Sequence, residues 1–150
     1  MILTITLNPA LDKTLLIDSL KVHDTNRIRS LEIDPGGKGI NVSRLLKELG
    51  ISTVASGFIG GDAGRYIESS LHRQAIRTEF VEIKGVTRTN IAIVEEEIEA
   101  PPTTFNEAGP DISAVELEEL ERRLSTLMHE ADMVAIGGSL PPGVPREIYA

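Results

Sequence analysis

The chain has 150 residues, of which 41% are hydrophobic and 25% charged, a balance typical of one globular domain rather than of a disordered segment. Its 15 basic and 23 acidic residues give a net charge of −8, which argues against a nucleic-acid partner. The absence of cysteine excludes disulfides and thiolate metal sites, and with no basic leader and no long apolar run we expect a cytoplasmic protein without a membrane partner.

The first element is an aliphatic and threonine run over residues 2–7, which predicts a strand buried on both faces of a parallel sheet. A turn over residues 8–12 is expected to end this strand. Because ligands of open α/β sheets gather beyond the carboxyl ends of the strands, Asp12 is a candidate to accept hydrogen bonds from substrate hydroxyls. The simpler interpretation is an ordinary loop or capping aspartate.

Two short segments, residues 14–17 and 27–33, alternate apolar and polar side chains on either side of a polar turn. This alternation predicts strands that have one face in water. Arg27 and Arg29 lie two residues apart and are therefore expected to share a face of the second strand. They are either a solvated pair or a contact for phosphate, which a guanidinium binds through two parallel hydrogen bonds.

Residues 34–43 hold three glycines and Lys38, and they lead into an amphipathic run that ends at Gly50. The apolar positions of that run are Val42, Leu45, Leu46 and Leu49. Their spacing predicts a helix of about three turns with the glycines at its N-terminus. Unpaired N–H groups and the helix dipole suit that end to an oxyanion or to hydroxyls, and Lys38 would add a positive charge. The alternative is a simple turn that leads into the helix.

The next unit is a strand over residues 52–59, a glycine-rich turn and a helix over residues 63–73, for which Asp62 is the expected cap. Its glycines do not have the G-x-G-x-x-G spacing of a dinucleotide site. Further strands are predicted at residues 78–83, 89–94 and 103–106. The acidic, proline-containing segment 95–102 before the last of them predicts an exposed hairpin tip.

Ser113 begins a long amphipathic helix, and Glu116 three residues later predicts a capping box. Its apolar stripe, expected in the core, is Val115, Leu117, Leu120, Leu124, Leu127 and Met128. Residues 133–136 predict a last buried strand, followed by another glycine-rich corner. Because the corners after residues 7, 59 and 136 all follow predicted parallel strands, we expect them to meet at one edge of a single sheet.

The three histidines and the end of the chain lead to two further predictions. The histidines are not spaced as metal ligands, so we predict no metal site on imidazoles. Pro145 and the residues after it are typical of the first turn of a helix. We therefore expect the chain to be part of a longer protein.

Five motifs occur in order along the chain. They are NPALD at 8–12, GGKGIN at 36–41, GGDAG at 60–64, TRTN at 87–90 and GSLPPG at 138–143. Together they resemble the N-terminal half of the ribokinase-like carbohydrate kinases, in the phosphofructokinase B branch that includes the phosphofructokinases and tagatose-6-phosphate kinase. The resemblance implies an α/β fold, with a mostly parallel sheet flanked by helices and a small β-sheet lid that often pairs two subunits. The lid strands would lie at 14–17, 27–33, 89–94 and 103–106.

The resemblance also implies a reaction and a set of site residues. The reaction is transfer of the γ-phosphoryl group of ATP, with Mg²⁺, to a hydroxyl of a ketohexose phosphate, with fructose 1-phosphate as the first choice of substrate. Asp12 and Asn41 would bind sugar hydroxyls, and the backbone at Gly37 would approach the sugar closely. The substrate's own phosphate would be held by Lys38, Arg27 and Arg88, with Ser139 beside it.

The sequence departs from the family pattern in two places. Thr104 stands near the position where the 6-phosphofructokinase type has an arginine, which argues against that subtype. The Gly-Ala-Gly-Asp motif that carries the family's catalytic aspartate, and with it the nucleotide and magnesium sites, belongs to the C-terminal half and does not occur in these 150 residues. We therefore predict that residues 1–150, as the N-terminal part of a single kinase domain, do not catalyse phosphoryl transfer by themselves.

Two kinds of alternative remain open at this point. The substrate could be fructose 6-phosphate or tagatose 6-phosphate instead of fructose 1-phosphate. The chain could also be a non-catalytic truncation that binds a sugar phosphate or dimerises through its lid. A nucleotide-dependent oxidoreductase is disfavoured because the first strand–helix crossing lacks the glycine pattern of that class.

Overall fold

Two four-stranded sheets organise residues 1–149, the part of the chain that the computed structural model describes. The strands are β1 (Ile2–Thr6), β2 (Ala10–Ile17), β3 (Ser30–Gly36), β4 (Thr53–Ile59), β5 (Arg77–Glu82), β6 (Arg88–Glu95), β7 (Thr103–Asn106) and β8 (Met133–Ile136). The helices are α1 (Lys38–Glu48), α2 (Gly61–Arg73) and α3 (Ala114–Glu130), and a 3₁₀ turn spans Arg146–Tyr149.

The core sheet has the strand order β5-β4-β1-β8, and all its strands are parallel. One apolar cluster, with Leu120 and Leu127 of α3, covers one face of the sheet. A second cluster, with Ile40 of α1 and Ile67 and Leu71 of α2, covers the other. The structure therefore confirms the predicted α/β class, a mostly parallel sheet flanked by helices.

Strand β1 contributes side chains to both faces of the core sheet, because successive side chains of a strand point to opposite faces. Its odd-numbered aliphatic residues pack in the α3 cluster. Its threonines face α1: Thr4 Oγ1 lies 2.7 Å from Ser43 Oγ, and Thr6 Oγ1 accepts a hydrogen bond of 3.0 Å from the backbone N–H of Ile40. The second of these bonds satisfies a donor in the first turn of α1 and fixes the helix over the sheet edge.

The lid sheet has the order β3-β2-β6-β7, in which β2 and β6 are parallel and the outer pairs antiparallel. All four predicted lid strands exist, and the bounds of β7 are those expected. The turn predicted over residues 8–12 is wrong, because β2 already begins at Ala10, which pairs with both Gly36 and Arg88. Asp12 therefore lies inside a strand rather than in a loop.

Strand β3 is shifted from its prediction of 27–33. It begins at Ser30, opposite Leu16, and it runs on through Pro35 to Gly36. A proline is tolerated there because β3 is an edge strand, where one side of the backbone needs no partner. The prediction that Arg27 and Arg29 share a strand face is accordingly wrong, since both precede the strand.

Helix α2 begins earlier than predicted, at Gly61, and its N-cap is Gly60. Thr87 Oγ1, from outside the helix, accepts a hydrogen bond of 2.9 Å from the N–H of Gly60. A Cβ at Gly60 would lie 1.9 Å from the carbonyl oxygen of Gly85, so no side chain fits there. The prediction of Asp62 as cap is therefore wrong, and Asp62 instead pairs with Arg65 within the helix.

The predicted ends of α1 and α3 are confirmed, but parts of their apolar stripes are not buried. Gly50, with φ of 76°, follows the end of α1, and Ser113 and Glu116 form the capping box of α3. The exposed members of the two stripes are Val42, Leu45, Leu49, Val115 and Met128. Strand β8, predicted to be buried, is also largely exposed, because within residues 1–149 it pairs on one side only.

Candidate functional site

The loops after β1, β4 and β8 lie together at the carboxyl edge of the core sheet, because these strands are parallel neighbours. This confirms the predicted meeting of the three corners. Asn8, which is 3% exposed, links two of them. Its Nδ2 donates hydrogen bonds to Ser139 Oγ at 3.2 Å and to the carbonyl oxygen of Ala108, in the loop after β7, at 2.9 Å.

Arg88 joins the lid to this edge. It begins β6, and its Nε and Nη2 donate to the carbonyl oxygen of Asn8 at 3.2 and 3.0 Å, while its Nη1 donates to that of Glu107 at 3.1 Å. Burial lowers the pKa of Arg88 from its ordinary value, and the nearby carboxylates of Asp12 and Glu107 oppose this shift. The guanidinium stays charged at neutral pH and keeps further N–H groups for an anion.

Asp12 lies on β2 directly beside Asn90 of β6. Asn90 Nδ2 donates a hydrogen bond of 3.0 Å to Asp12 Oδ1, which fixes the carboxylate. The other carboxylate oxygen is close to Gly36, where a Cβ would lie 2.0 Å from it, so the glycine leaves room for the acid. Asn90 Oδ1 is buried and has no hydrogen-bond partner among residues 1–149. Asp12 thus presents a fixed, half-buried acceptor of the kind that binds hydroxyls.

A depression of about 260 Å³ opens on this face of the lid. Its polar lining includes Asp12, Thr14, Asn90, Thr104 and Asn106. By the family resemblance, Thr104 stands near the position where the 6-phosphofructokinase type has an arginine. A threonine there adds no positive charge to a lining in which, among residues 1–149, Lys13 is the one cationic residue.

Lys38 and Gly37 form the N-terminus of α1, as predicted. Gly37 has φ of 129°, and a Cβ there would lie 2.5 Å from Thr6 Cγ2, so both conformation and space require glycine. Lys38 is exposed, and its Cβ lies 4.0 Å from the position that a Cβ of Gly137 would occupy, beside the loop after β8. Asn41 is exposed, one turn further along the same helix.

The structure does not bring Arg27 to these residues. It lies at the far end of the lid, in a polar depression of about 380 Å³ whose lining includes Ile17, Lys21 and Glu97. Ile17 and Asp12 are five positions apart on β2, which corresponds to about 16 Å. Of the seven candidate residues, two lie at the lid base (Asp12 and Arg88) and three at the core edge (Gly37, Lys38 and Ser139). Asn41 follows one turn into α1, and Arg27 is apart from the others.

The sequence did not single out Asn8, Asn90 or Glu107. Asn8 and Asn90 belong to the NPALD and TRTN motifs, so their positions were marked, but nothing in the sequence said that one bonds Ser139 and the other Asp12. Glu107 Oε2 accepts a hydrogen bond of 2.9 Å from the N–H of Thr89, and no motif contains it. Contacts between residues about 80 to 130 positions apart are decided by the tertiary structure.

Two features are absent from residues 1–149. No group of three or more histidine, aspartate or glutamate side chains there lies close enough to hold a metal ion. None of the helices in that range has the length and apolar character needed to cross a bilayer.

Known proteins resemble the chain over its whole length. The sequence pattern of the pfkB family carbohydrate kinases matches residues 5–150. Tagatose-6-phosphate kinase of Staphylococcus epidermidis is 41% identical over 150 residues, which are 100% of this chain and 47% of that protein.

Two solved structures show the same architecture. A possible 1-phosphofructokinase of Thermotoga maritima superposes with a TM-score of 0.91 at 40% identity, over 99% of this chain and 48% of that one. Phosphofructokinase-2 of Escherichia coli in complex with fructose-6-phosphate superposes with a TM-score of 0.87 at 33% identity, over 97% of this chain and 48% of that one. The chain spans about half the length of each of these relatives.

Proposed function

The chain belongs to the pfkB family of carbohydrate kinases, and from this we propose that the full-length protein is a cytoplasmic enzyme that transfers the γ-phosphoryl group of ATP to a ketohexose phosphate. Fructose 1-phosphate is the favoured substrate, and fructose 1,6-bisphosphate the product. Tagatose 6-phosphate and fructose 6-phosphate are the alternatives. The neutral Thr104 favours fructose 1-phosphate and tagatose 6-phosphate over fructose 6-phosphate.

The observation that carries this proposal is the meeting of Arg88, Asn8 and Ser139 between the lid and the core sheet, with Asp12 next to Arg88. Arg88 and Lys38 are the cations for a doubly charged phosphate, and the fixed carboxylate of Asp12 accepts hydrogen bonds from sugar hydroxyls. A sugar without phosphate would not need two cations beside the carboxylate. Catalysis of this kind is mostly positioning and stabilisation of charge.

The residues described here form the sugar side of the site. The attacking sugar hydroxyl must lose its proton as its oxygen bonds to the γ-phosphorus and the bond to ADP breaks. We assign the base for that proton, and the contacts to ATP and Mg²⁺, to the part of the relatives' length that this chain does not span. Mg²⁺ would supply positive charge at the phosphates of ATP.

We infer that residues 1–150 are the N-terminal part of one kinase domain. Exposed apolar residues lie on β8 and on the outer face of α1, among them Met133 at 61% and Leu45 at 58% exposure. Such residues are costly to leave in water, and the relatives carry about as many residues again that could cover them. Residues 1–150 alone should then release no ADP from ATP with any sugar phosphate, whereas the full-length protein should.

A coupled ADP-release assay on the full-length protein tests the activity. Fructose 1-phosphate, fructose 6-phosphate, tagatose 6-phosphate, ribose and adenosine are compared as acceptors. We expect the highest kcat/KM with fructose 1-phosphate and very low rates with the two acceptors that lack phosphate. Equal rates with ribose or adenosine would refute the phosphate contacts, and binding of a sugar phosphate without any ADP release would favour the non-catalytic alternative.

Lys38→Met tests the phosphate contact at the N-terminus of α1. It should raise the KM for the sugar phosphate much more than the KM for ATP. The control is Lys47→Met, which removes an exposed lysine from the last turn of the same helix. If both variants change the sugar-phosphate KM equally, Lys38 has no special role.

We also propose a homodimer formed through the lid. Two large apolar side chains of the lid, Leu31 and Phe105, are 49% and 57% exposed, although they lie on strands of a regular sheet. A second lid would cover them. Leu31→Glu should give a monomer in sedimentation of the full-length protein, and an unchanged mass would contradict this arrangement.

A further inference from the structure

Asn8 is a buried polar residue with four hydrogen bonds to other parts of the molecule, and the proposed function has so far assigned no task to its side chain. It lies at the end of β1, is 3% exposed and contacts three other parts of the molecule. Its carbonyl oxygen holds Arg88 of the lid, and its Nδ2 reaches Ala108 and Ser139 in two different loops. A residue that joins the lid to both loops can control how the phosphate-binding groups are presented.

The orientation of the Asn8 amide is fixed by its surroundings. A backbone carbonyl oxygen can only accept, so the Ala108 oxygen at 2.9 Å requires the Nδ2 side of the amide. In the flipped orientation two carbonyl oxygens would face each other at that distance. The observed orientation leaves Oδ1 buried and without a partner among residues 1–149, close to Gly109, where a Cβ would lie 2.3 Å from it. In this orientation the amide oxygen has no partner among residues 1–149, while the amide nitrogen donates to both Ala108 and Ser139.

This orientation determines what Ser139 can do. A hydroxyl has one donor and two acceptor positions, and Nδ2 of Asn8, at 3.2 Å, occupies one of the acceptor positions of Ser139 Oγ. The Ser139 proton is then free to point away from Asn8. Ser139 is exposed, so this proton is available to a ligand at the edge of the core sheet.

We propose that Asn8 is a positioning residue that makes Ser139 a hydrogen-bond donor towards the phosphate group of the sugar substrate, beside Arg88. This inference rests on the proposed function, since it assumes that a phosphate binds there. An aspartate at position 8 would have nearly the same shape but would accept the Ser139 proton and add a negative charge, both unfavourable to an anion.

The order of two substitutions separates this role from simple space filling. If Asn8 only fills space, Asn8→Asp should be milder than Asn8→Ala because it keeps the shape. If Asn8 directs a donor, Asn8→Asp should be the more harmful variant at neutral pH, raising the sugar-phosphate KM of the full-length protein by about 30-fold against about tenfold for Asn8→Ala. The KM for ATP should change less than about twofold, and the opposite order of the two variants would overturn the proposal.

A double-mutant cycle gives a second test. Ser139→Ala removes one hydrogen bond to a charged group and should raise the sugar-phosphate KM by about tenfold. Because Asn8→Ala acts through the same hydroxyl, the double variant should resemble the single ones rather than show the product of about 100-fold. Multiplicative effects would show that the two residues act independently and would contradict the proposal.

The test remains decisive if the Asn8 variants do not fold. Ser139 is exposed, so Ser139→Ala leaves the packing in place, and an unchanged sugar-phosphate KM in that variant alone would leave Asn8 nothing to direct. Failure of the proposed function has a different signature. In that case the wild-type protein itself would phosphorylate none of the sugar phosphates.

Discussion

The core sheet and the lid sheet have four strands each, but they are stabilised in different ways. All seven residues of β4 in the core sheet are buried, whereas none of the eight residues of β6 in the lid and none of the four of β7 is. The core sheet lies between two apolar clusters, while the lid is held mainly by its strand pairing and by Arg88 at its base. Side-chain burial therefore fixes the core, and the lid keeps its polar face free for a ligand.

The largest expected effect contrasts a phenylalanine in each sheet. Phe58 of β4 is 1% exposed, so Phe58→Ala should lower the free energy of unfolding by about 3–5 kcal/mol through lost burial and a residual cavity. Phe105→Ala in β7, at 57% exposure in the single chain, should change it by about 0.5 kcal/mol or less when both substitutions are made in the monomeric Leu31→Glu protein. Urea unfolding of both variants measures the difference, and similar losses would mean that the lid contains a core of its own.

The second contrast concerns two arginines, Arg88 at the base of the lid and Arg29 in the segment before β3. Arg88→Met should raise the sugar-phosphate KM of the full-length protein by about 10- to 100-fold, the usual range for a lost hydrogen bond to a charged group. Arg29→Met removes an exposed arginine that pairs with Asp18 and Glu96, and it should change that KM less than about twofold. Steady-state kinetics of both variants measure this difference. Equal increases in the sugar-phosphate KM would mean that the base of the lid has no special contact with the phosphate.

The third contrast makes the same substitution, threonine to valine, once in each sheet. Thr6→Val should lower the free energy of unfolding by about 1–2 kcal/mol, because it leaves the buried N–H of Ile40 without its acceptor. Thr14→Val, in the middle of a lid strand, keeps shape and β-branching and should cost about 0.5 kcal/mol or less. If Thr14→Val proves as harmful, the lid side chains carry more stability than their exposure indicates.

The smallest effect is a pH dependence located on α3 of the core. Hydrogen bonds from Arg122 and Arg123 lower the pKa of Glu119 from 4.5 to about 2, and the Ser113 cap lowers that of Glu116. A carboxylate with a lowered pKa stabilises the fold above its unfolded pKa and loses this contribution as the pH falls through the folded one. Stability should therefore decrease slightly from about pH 4.5 to about pH 2.

Glu119→Gln should flatten that part of the pH profile, which urea unfolding at a series of pH values would measure. Glu118→Gln on the same helix is the matched control and should leave the profile as it is. Equal changes in the two variants would mean that the general acidity of the helix, rather than the contacts of Glu119, determines the dependence.

Local patterns predicted the elements well where the physical cause is local. The capping box of Ser113, the left-handed Gly50 and the strand Met133–Ile136 were all predicted correctly, because each depends on residues within a few positions. The predicted cap at Asp62 failed because the helix already begins at Gly61, after a Gly60 that Thr87, 27 residues away, holds through its N–H. The strand position of Arg27 failed because pairing with β2, rather than alternation, sets where β3 begins.

In the candidate site, too, local features could be predicted and contacts between distant segments could not. The sequence by itself determined the fold class and the family resemblance. It also marked the candidates that the structure places at the core edge and the lid base, since glycines and charged residues after strands are local features. Only the tertiary structure decided that Arg27 lies apart, that Asp12 stands in a strand beside Asn90, and that Asn8 joins Arg88 to Ser139. The reason is physical: these relations depend on strand register and on hydrogen bonds between distant segments, which no single stretch of sequence contains.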